Sequence, residues 1–160
     1  MPGKIKSGQG TLIGNAGEYY VVAELLKRGI VASLTPRNTP AFDVLATKGD
    51  KTVRIRVKTK SEEYDIWQWA VGKSGNIFRD ISDFGDFTIL VNLAQSNRDL
   101  AFYVVPTAKL DSWLQADFAR WLATPGKRGQ QRSSKNPKRT LSFKKAVLVQ
   151  YRDNWDQLWD

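Results

Sequence analysis

The chain has 160 residues and a net charge of +9, with 25 Lys and Arg against 16 Asp and Glu, and it contains neither His nor Cys. That length fits one domain with its own core, and 41% hydrophobic with 26% charged residues is the composition of a folded protein rather than a disordered one. The two missing residue types exclude Ser-His-Asp and Cys-His catalysis, imidazole ligation, disulfides, zinc knuckles and iron–sulfur sites. Chemistry is left to carboxylates, Lys, Arg, hydroxyls and hard cations bound through oxygen.

Residues 1–10 are basic and Gly-rich, and read as flexible. Asn15 is a candidate N-cap, with Glu18 at the capping-box position, for a helix running to about Arg28. Ala16, Tyr19, Tyr20, Ala23 and Leu26 recur along it at helical spacing, widened by Val22 and Leu25, and Gly29 stops it. A short strand over 30–34 and a two-proline loop follow. A hairpin comes next: a strand over 42–47, the turn Lys48-Gly49-Asp50-Lys51, and a strand over 52–59. The second arm alternates strictly, with Val53, Ile55 and Val57 on one face and Arg54, Arg56 and Lys58 on the other.

Residues 66–70 read as a short strand, the apolar run 87–93 as a buried central strand, and 100–105 as its neighbour. Pro106 and Thr107 open a helix to about Ala123, on which Trp113, Leu114, Phe118, Trp121 and Leu122 read as core. A late strand falls within 141–150 and a helical turn within 154–159, where Trp155 and Trp159 form an i,i+4 pair that pins the end of the chain or serves an oligomer contact. The order implies an α/β domain over residues 1–160, a mixed sheet with flanking helices. No apolar run approaches the length of a membrane span and no signal-peptide core follows Met1, so a cytoplasmic protein without a membrane partner is expected.

The charge is segregated. From Thr124 to Lys145 there are eight basic residues and no acidic one, whereas the remaining 138 residues carry 17 basic and 16 acidic groups. Lys127, Arg128, Arg132, Lys135, Lys138 and Arg139 fall in a Gly-, Ser- and Pro-containing stretch, 124–140, that reads as a long flexible loop suited to contacting phosphates. A solvated loop that keeps the protein soluble is the plainer alternative. Trp67 and Trp69 share one side of their strand and are read as packing in preference to base stacking.

A row of charge on a strand is costly unless it serves a site. Here Arg54, Arg56 and Lys58 face the same way, Asp43 opens the paired strand, and Glu18 stands on the first helix. Helix Glu, strand Asp, hairpin, and a strand Lys 15 residues after the Asp: in this order the segments Gly14–Glu18, Glu24–Gly29, Phe42–Leu45 and Ile55–Thr59 resemble the PD-(D/E)XK nuclease superfamily, which includes restriction endonucleases and archaeal Holliday-junction resolvases. The resemblance spans about the first 60 residues. It implies a restriction-endonuclease-like mixed sheet and DNA, double-stranded or branched, as partner. It also implies a Mg²⁺ or Mn²⁺ cofactor, Asp43 as principal ligand, Glu18 and the Val57 carbonyl as further ligands, and Lys58 beside the attacked phosphate.

One departure matters. The family has an acid or Gln two residues before the Lys, and this chain has Arg56. A guanidinium repels a divalent cation and does not deprotonate at working pH. Three outcomes follow: Asp43 and Glu18 hold a metal without it, Glu62 or Glu63 replaces the missing acid, or Arg56 takes the metal's place and binds phosphate without cutting. The function is accordingly a Mg²⁺-dependent endonuclease or a catalytically inactive nuclease-fold module that binds nucleic acid or a protein partner. A basic RNA-binding domain is a third reading, and a homodimer is compatible with all of them. Asp43 simply paired with Arg56 or Lys58 across the hairpin is the structural alternative to a site.

Overall fold

The computed structural model of the chain describes residues 10–82, 85–94, 96 and 98–160. The first helix, α1 (Gly10–Lys27), begins five residues before the expected Asn15 cap, so Gly10 is helical and the rest of the 1–10 stretch expected to be flexible lies outside the described residues. Its buried line is Gly17, Val21 and Leu25, while Tyr19 and Leu26 are exposed. The apolar stripe therefore misplaced the contact face by about one residue. The reason is Gly17: a Cβ there would lie 1.8 Å from Thr59 Oγ1, so the smallest residue on the helix marks its closest approach to the sheet.

Strands β1 (Val31–Leu34), β2 (Val44–Lys48) and β3 (Lys51–Ser61) form an antiparallel run that contains the expected β2–β3 hairpin, with Gly49 at φ 58° in its turn. β4 (Ile66–Ala70) leaves this sheet. β5 (Asp86–Leu93) pairs parallel with β3, and β6 (Ala101–Pro106) pairs antiparallel with β5. The result is a five-stranded mixed sheet in the order β1-β2-β3-β5-β6. Helix α2 (Thr107–Ala123) follows β6 directly.

Alternation along the inner strands feeds two cores. Val53 and Ile55 of β3, Phe87, Ile89 and Val91 of β5, and Phe102 and Val104 of β6 pack with Val21 and Leu25 of α1. Leu90, Tyr103 and Val105 face the other way and meet Leu110 and Leu114 of α2. Trp155 is buried against Phe102 on the α1 side, with Arg28 stacked over its ring, so the end of the chain is pinned as expected.

The late strand is earlier than its apolar residues indicated. β7 (Lys138–Ser142) pairs antiparallel with β4 as a separate two-stranded ribbon, and Ala146–Tyr151 is a 3₁₀ helix rather than strand. Leu141 is the one buried residue of β7, which is why the segment read as loop. Phe118 and Trp121 of α2 are not core. They stack on each other at 5.5 Å and carry Arg139 and Arg132 over their rings, at 3.4 and 4.7 Å from the centroids. The basic stretch is thus fastened to α2 by cation–π contacts that leave no apolar periodicity in the sequence.

Candidate functional site

Asp43 sits where β2 begins to part from β3. Its backbone N–H donates to the Ile55 carbonyl at 2.9 Å, and its own carbonyl accepts from Thr35 N and Thr35 Oγ1 at 2.9 and 3.1 Å. The preceding loop delivers it through Ala41, held at φ 83°, a conformation an L-residue adopts at a cost. The Asp43 carboxylate accepts the Val57 N–H on Oδ2 at 2.8 Å. No ion pair reaches it among the described residues, so the cross-strand salt bridge does not form.

Burial pushes the Asp43 carboxyl up, against the lowering pull of the Val57 N–H and the Arg56 and Lys58 charges. Glu18 reaches the same place from α1. Its carboxyl is also raised, first by burial and then by the Asp43 charge, with Arg37 opposing. Lys58 is lowered by burial and partly restored by Asp43. The three residues named from sequence therefore form one electrostatically coupled group.

Two open clefts meet at Asp43 and share Thr39. One, of about 340 Å³, is polar and lined by Asn15, Glu18, Tyr19 and Arg37. The other, of about 320 Å³, lies toward the ribbon and is lined by Phe42, Arg56, Lys58, Trp69, Phe78 and Arg79. Of the two tryptophans, Trp67 is core, donating its indole N–H to the Val91 carbonyl at 3.0 Å. Trp69 is half-buried, packed against the α2-side core, and also lines this second cleft, with Lys58 Nζ 5.5 Å from its ring centroid.

Arg56 has a partner that the sequence did not reveal. Asp86, whose side chain is fully buried, accepts from Arg56 Nη1 and Thr107 Oγ1 on one oxygen, and from Arg54 Nη2 (3.0 Å) and Ser82 N (3.1 Å) on the other. Arg56 Nη2 also donates to the Arg79 carbonyl at 2.6 Å. The acidic group absent from β3 stands instead on β5, facing the guanidinium. Arg56 is paired with it while still lining the ribbon-side cleft beside Asp43 and Lys58. Glu62 and Glu63 are exposed beyond β3 and line neither cleft, so they do not replace the missing acid. The signal for Asp86 was faint: a lone acid at the head of an apolar run.

The basic residues divide into two kinds. Arg132 and Arg139 are committed to the aromatic rings of α2, whereas Lys127, Arg128, Lys135 and Lys138 are exposed. The register of the ribbon sets Arg139 opposite Trp69 and Lys138 opposite Ala70, so the basic stretch leaves the ribbon beside the second cleft.

The donors suit a hard cation in kind. Among the described residues Asp43 Oδ1 makes no hydrogen bond, and the mutual repulsion of Asp43 and Glu18 is what a divalent ion relieves. Their number is small: among the described residues no group of three or more acidic side chains forms. Two carboxylates are within the range by which Mg²⁺ is held when waters and a substrate phosphate complete its shell.

The strand order, with α1 on one face and α2 on the other, is that of the restriction-endonuclease-like fold. A bacterial homing endonuclease, I-Ssp6803I, matches over 94% of this chain and 91% of its own, at 18% identity and a TM-score of 0.54. The Holliday junction resolvase Hjc of Archaeoglobus fulgidus matches over 86% of this chain and 88% of its own, at 15% identity and a TM-score of 0.48. No family profile and no curated protein sequence matches. Among the described residues no helix is long and apolar enough to cross a membrane.

Proposed function

We propose that this chain binds DNA and hydrolyses a phosphodiester bond at Asp43, with Mg²⁺ or Mn²⁺ as cofactor. The observation that carries the reading is the convergence of Asp43, Glu18 and Lys58 at the junction of two open clefts, all three electrostatically perturbed. The fold shared with a homing endonuclease supports it.

Asp43 and Glu18 would hold the cation, with the Val57 carbonyl as a further oxygen. The chemistry such an ion would supply, held by these residues, is polarisation of the phosphate and activation of a water as nucleophile at neutral pH. The Val57 N–H fixes the orientation of the Asp43 carboxylate. Lys58, in the adjoining cleft, neutralises the charge that builds on the phosphate oxygens. Asp86 pairs with the Arg56 guanidinium, so the repulsion expected from its place in the sequence is moderated. Lys127, Arg128, Lys135 and Lys138 meet backbone phosphates beyond the site and contribute affinity without sequence preference.

A non-catalytic module is the second reading, favoured by the presence of two acidic side chains rather than three. Incubation of supercoiled, linear and branched DNA with Mg²⁺ or Mn²⁺ separates the two. The enzyme reading requires cutting that Asp43→Ala and Lys58→Ala both abolish. DNA binding without cutting over a wide pH range, and no thermal shift with Mn²⁺, would establish the module instead.

A further inference from the structure

The cleft on the ribbon side of Asp43 is furnished beyond what hydrolysis requires. Phe42, Trp69 and Phe78 wall it, the last two edge-to-face at 6.2 Å. Each ring has a cation near it: Arg54 lies 5.6 Å from the centroid of Phe42, Arg56 5.8 Å from that of Phe78, and Lys58 Nζ 5.5 Å from that of Trp69. Arg56 is spent on Asp86. Arg79 lines the same cleft, is exposed, and makes no side-chain hydrogen bond or ion pair among the described residues.

A ligand matched to these walls offers a π-face and an anion together. A nucleotide does so, provided its base is free. Within a duplex each base is covered above and below by its neighbours, so its face is unavailable unless it is first unstacked. The volume is of the right order for a small ligand: about 320 Å³ is at the small end of clefts that take small molecules. The cleft on the other side of Asp43 has one aromatic residue, Tyr19, against three here. A strand crossing Asp43 therefore meets two different neighbours, one polar and one aromatic.

We propose that the ribbon-side cleft receives a single unstacked nucleotide of the bound strand, its base on the Trp69 indole and its phosphate between Lys58 and Arg79. Resting on the DNA-binding reading above, this assigns the substrate class: DNA with an unpaired nucleotide beside the bond at Asp43, as in a flap, a gap or a single strand, in preference to continuous duplex. Preference arises because an unpaired base enters the cleft without the cost of leaving a stack.

The experiment is done without divalent ions and in an Asp43→Asn background, so cutting plays no part. Affinities are measured by fluorescence anisotropy for a fully paired duplex and for the same duplex with a short single-stranded flap. A 2-aminopurine in the flap reports stacking by quenching. The flapped DNA should bind tighter, and Trp69→Ala should weaken it by about 5- to 150-fold, the usual range for losing one stacked base. That variant should leave the paired duplex within about twofold, and remove the 2-aminopurine quench. Trp69→Phe should restore most of the affinity and the quench, and the unchanged duplex affinity of Trp69→Ala separates the loss of stacking from a fold defect. Arg79→Ala, a change at an exposed side chain, should weaken the flapped DNA and lower its salt slope by about one. Equal affinity for the two DNAs with no effect of Trp69→Ala, or an equal loss on both, overturns the nucleotide site while leaving DNA binding intact. Absence of binding to either DNA overturns the DNA reading itself.

Discussion

Asp86 is the residue on which the placement of Arg56 depends, and removing its charge is the sharpest structural perturbation available. Asp86→Asn keeps the volume, and so creates no cavity. It leaves the nearly buried Arg56 with neutral acceptors alone, the Arg79 carbonyl and the new amide oxygen, and so with an uncompensated charge in a low-dielectric place. Breaking a buried pair from one side costs about 3–5 kcal/mol. For a chain of this size each kcal/mol is about 2–4 °C of melting temperature, so the variant should melt about 6–20 °C lower. Arg56→Met should cost less, about 1.5–3 kcal/mol, because Asp86 retains Arg54, Thr107 and the Ser82 N–H. The double variant should be less damaged than the two losses added, since neither charge is then stranded. Thermal and urea denaturation of the four proteins close the cycle. An Asp86→Asn protein that melts within about 2 °C of the parent would refute the reasoning, as would a larger loss from Arg56→Met. The same network means that Arg56→Glu by itself would set two carboxylates against each other, and would not restore a third metal ligand.

Gly17→Ala should lower stability by about 1–3 kcal/mol despite the better helix propensity of Ala, because the new Cβ meets Thr59 Oγ1 at 1.8 Å, and Thr59→Ala should recover part of the loss in denaturant melts. Replacing Lys127, Arg128, Lys135 and Lys138 by Ala should flatten the salt dependence of DNA affinity, by about 0.9 in slope for each lost phosphate contact, without changing the melting temperature. Arg139→Ala should instead lower the melting temperature by about 1–4 °C through the lost contact with Phe118. Asp43 and Glu18 both have raised carboxyl pKa values, so the folded state holds their protons more tightly than the unfolded chain does, and their ionisation opposes folding above the ordinary carboxylate range. Without metal, Asp43→Asn should therefore raise the melting temperature at pH 7, and the gain should vanish as the pH falls below about 3.8, where the carboxyl is protonated in both states. A metal-free Asp43→Asn protein less stable at pH 7 than the parent would contradict the electrostatic picture of the site.

Alternation made β3 legible, because a strand with one face on a core declares both faces at once. The spacing from Asp43 to Lys58 then followed from a hairpin of fixed geometry. The pairing of Arg56 with Asp86 did not, since parallel neighbours are joined by a long crossover whose register leaves no local trace. The buried face of α1 was misread because contact there is made through absence of a side chain, at Gly17, while Tyr19 and Leu26 are large, apolar and exposed. The basic stretch read as loose for a related reason. Its anchors are Arg132 and Arg139 lying on Trp121 and Phe118, and polar residues that pack through π-faces carry no hydrophobic period. Trp69 and Trp67 differ by two positions on one strand, yet one is core and the other lines the cleft.

The central claim, that Asp43 and Glu18 make a divalent-cation site which Arg56 does not block, is met most directly by crystals soaked in Mn²⁺ and measured for anomalous scattering. The account predicts one peak about 2.0–2.4 Å from an oxygen of Asp43, with Glu18 or its water shell alongside, and no peak in Asp43→Asn crystals treated identically. An empty site at saturating Mn²⁺, or a peak bound elsewhere that survives the substitution, would contradict it.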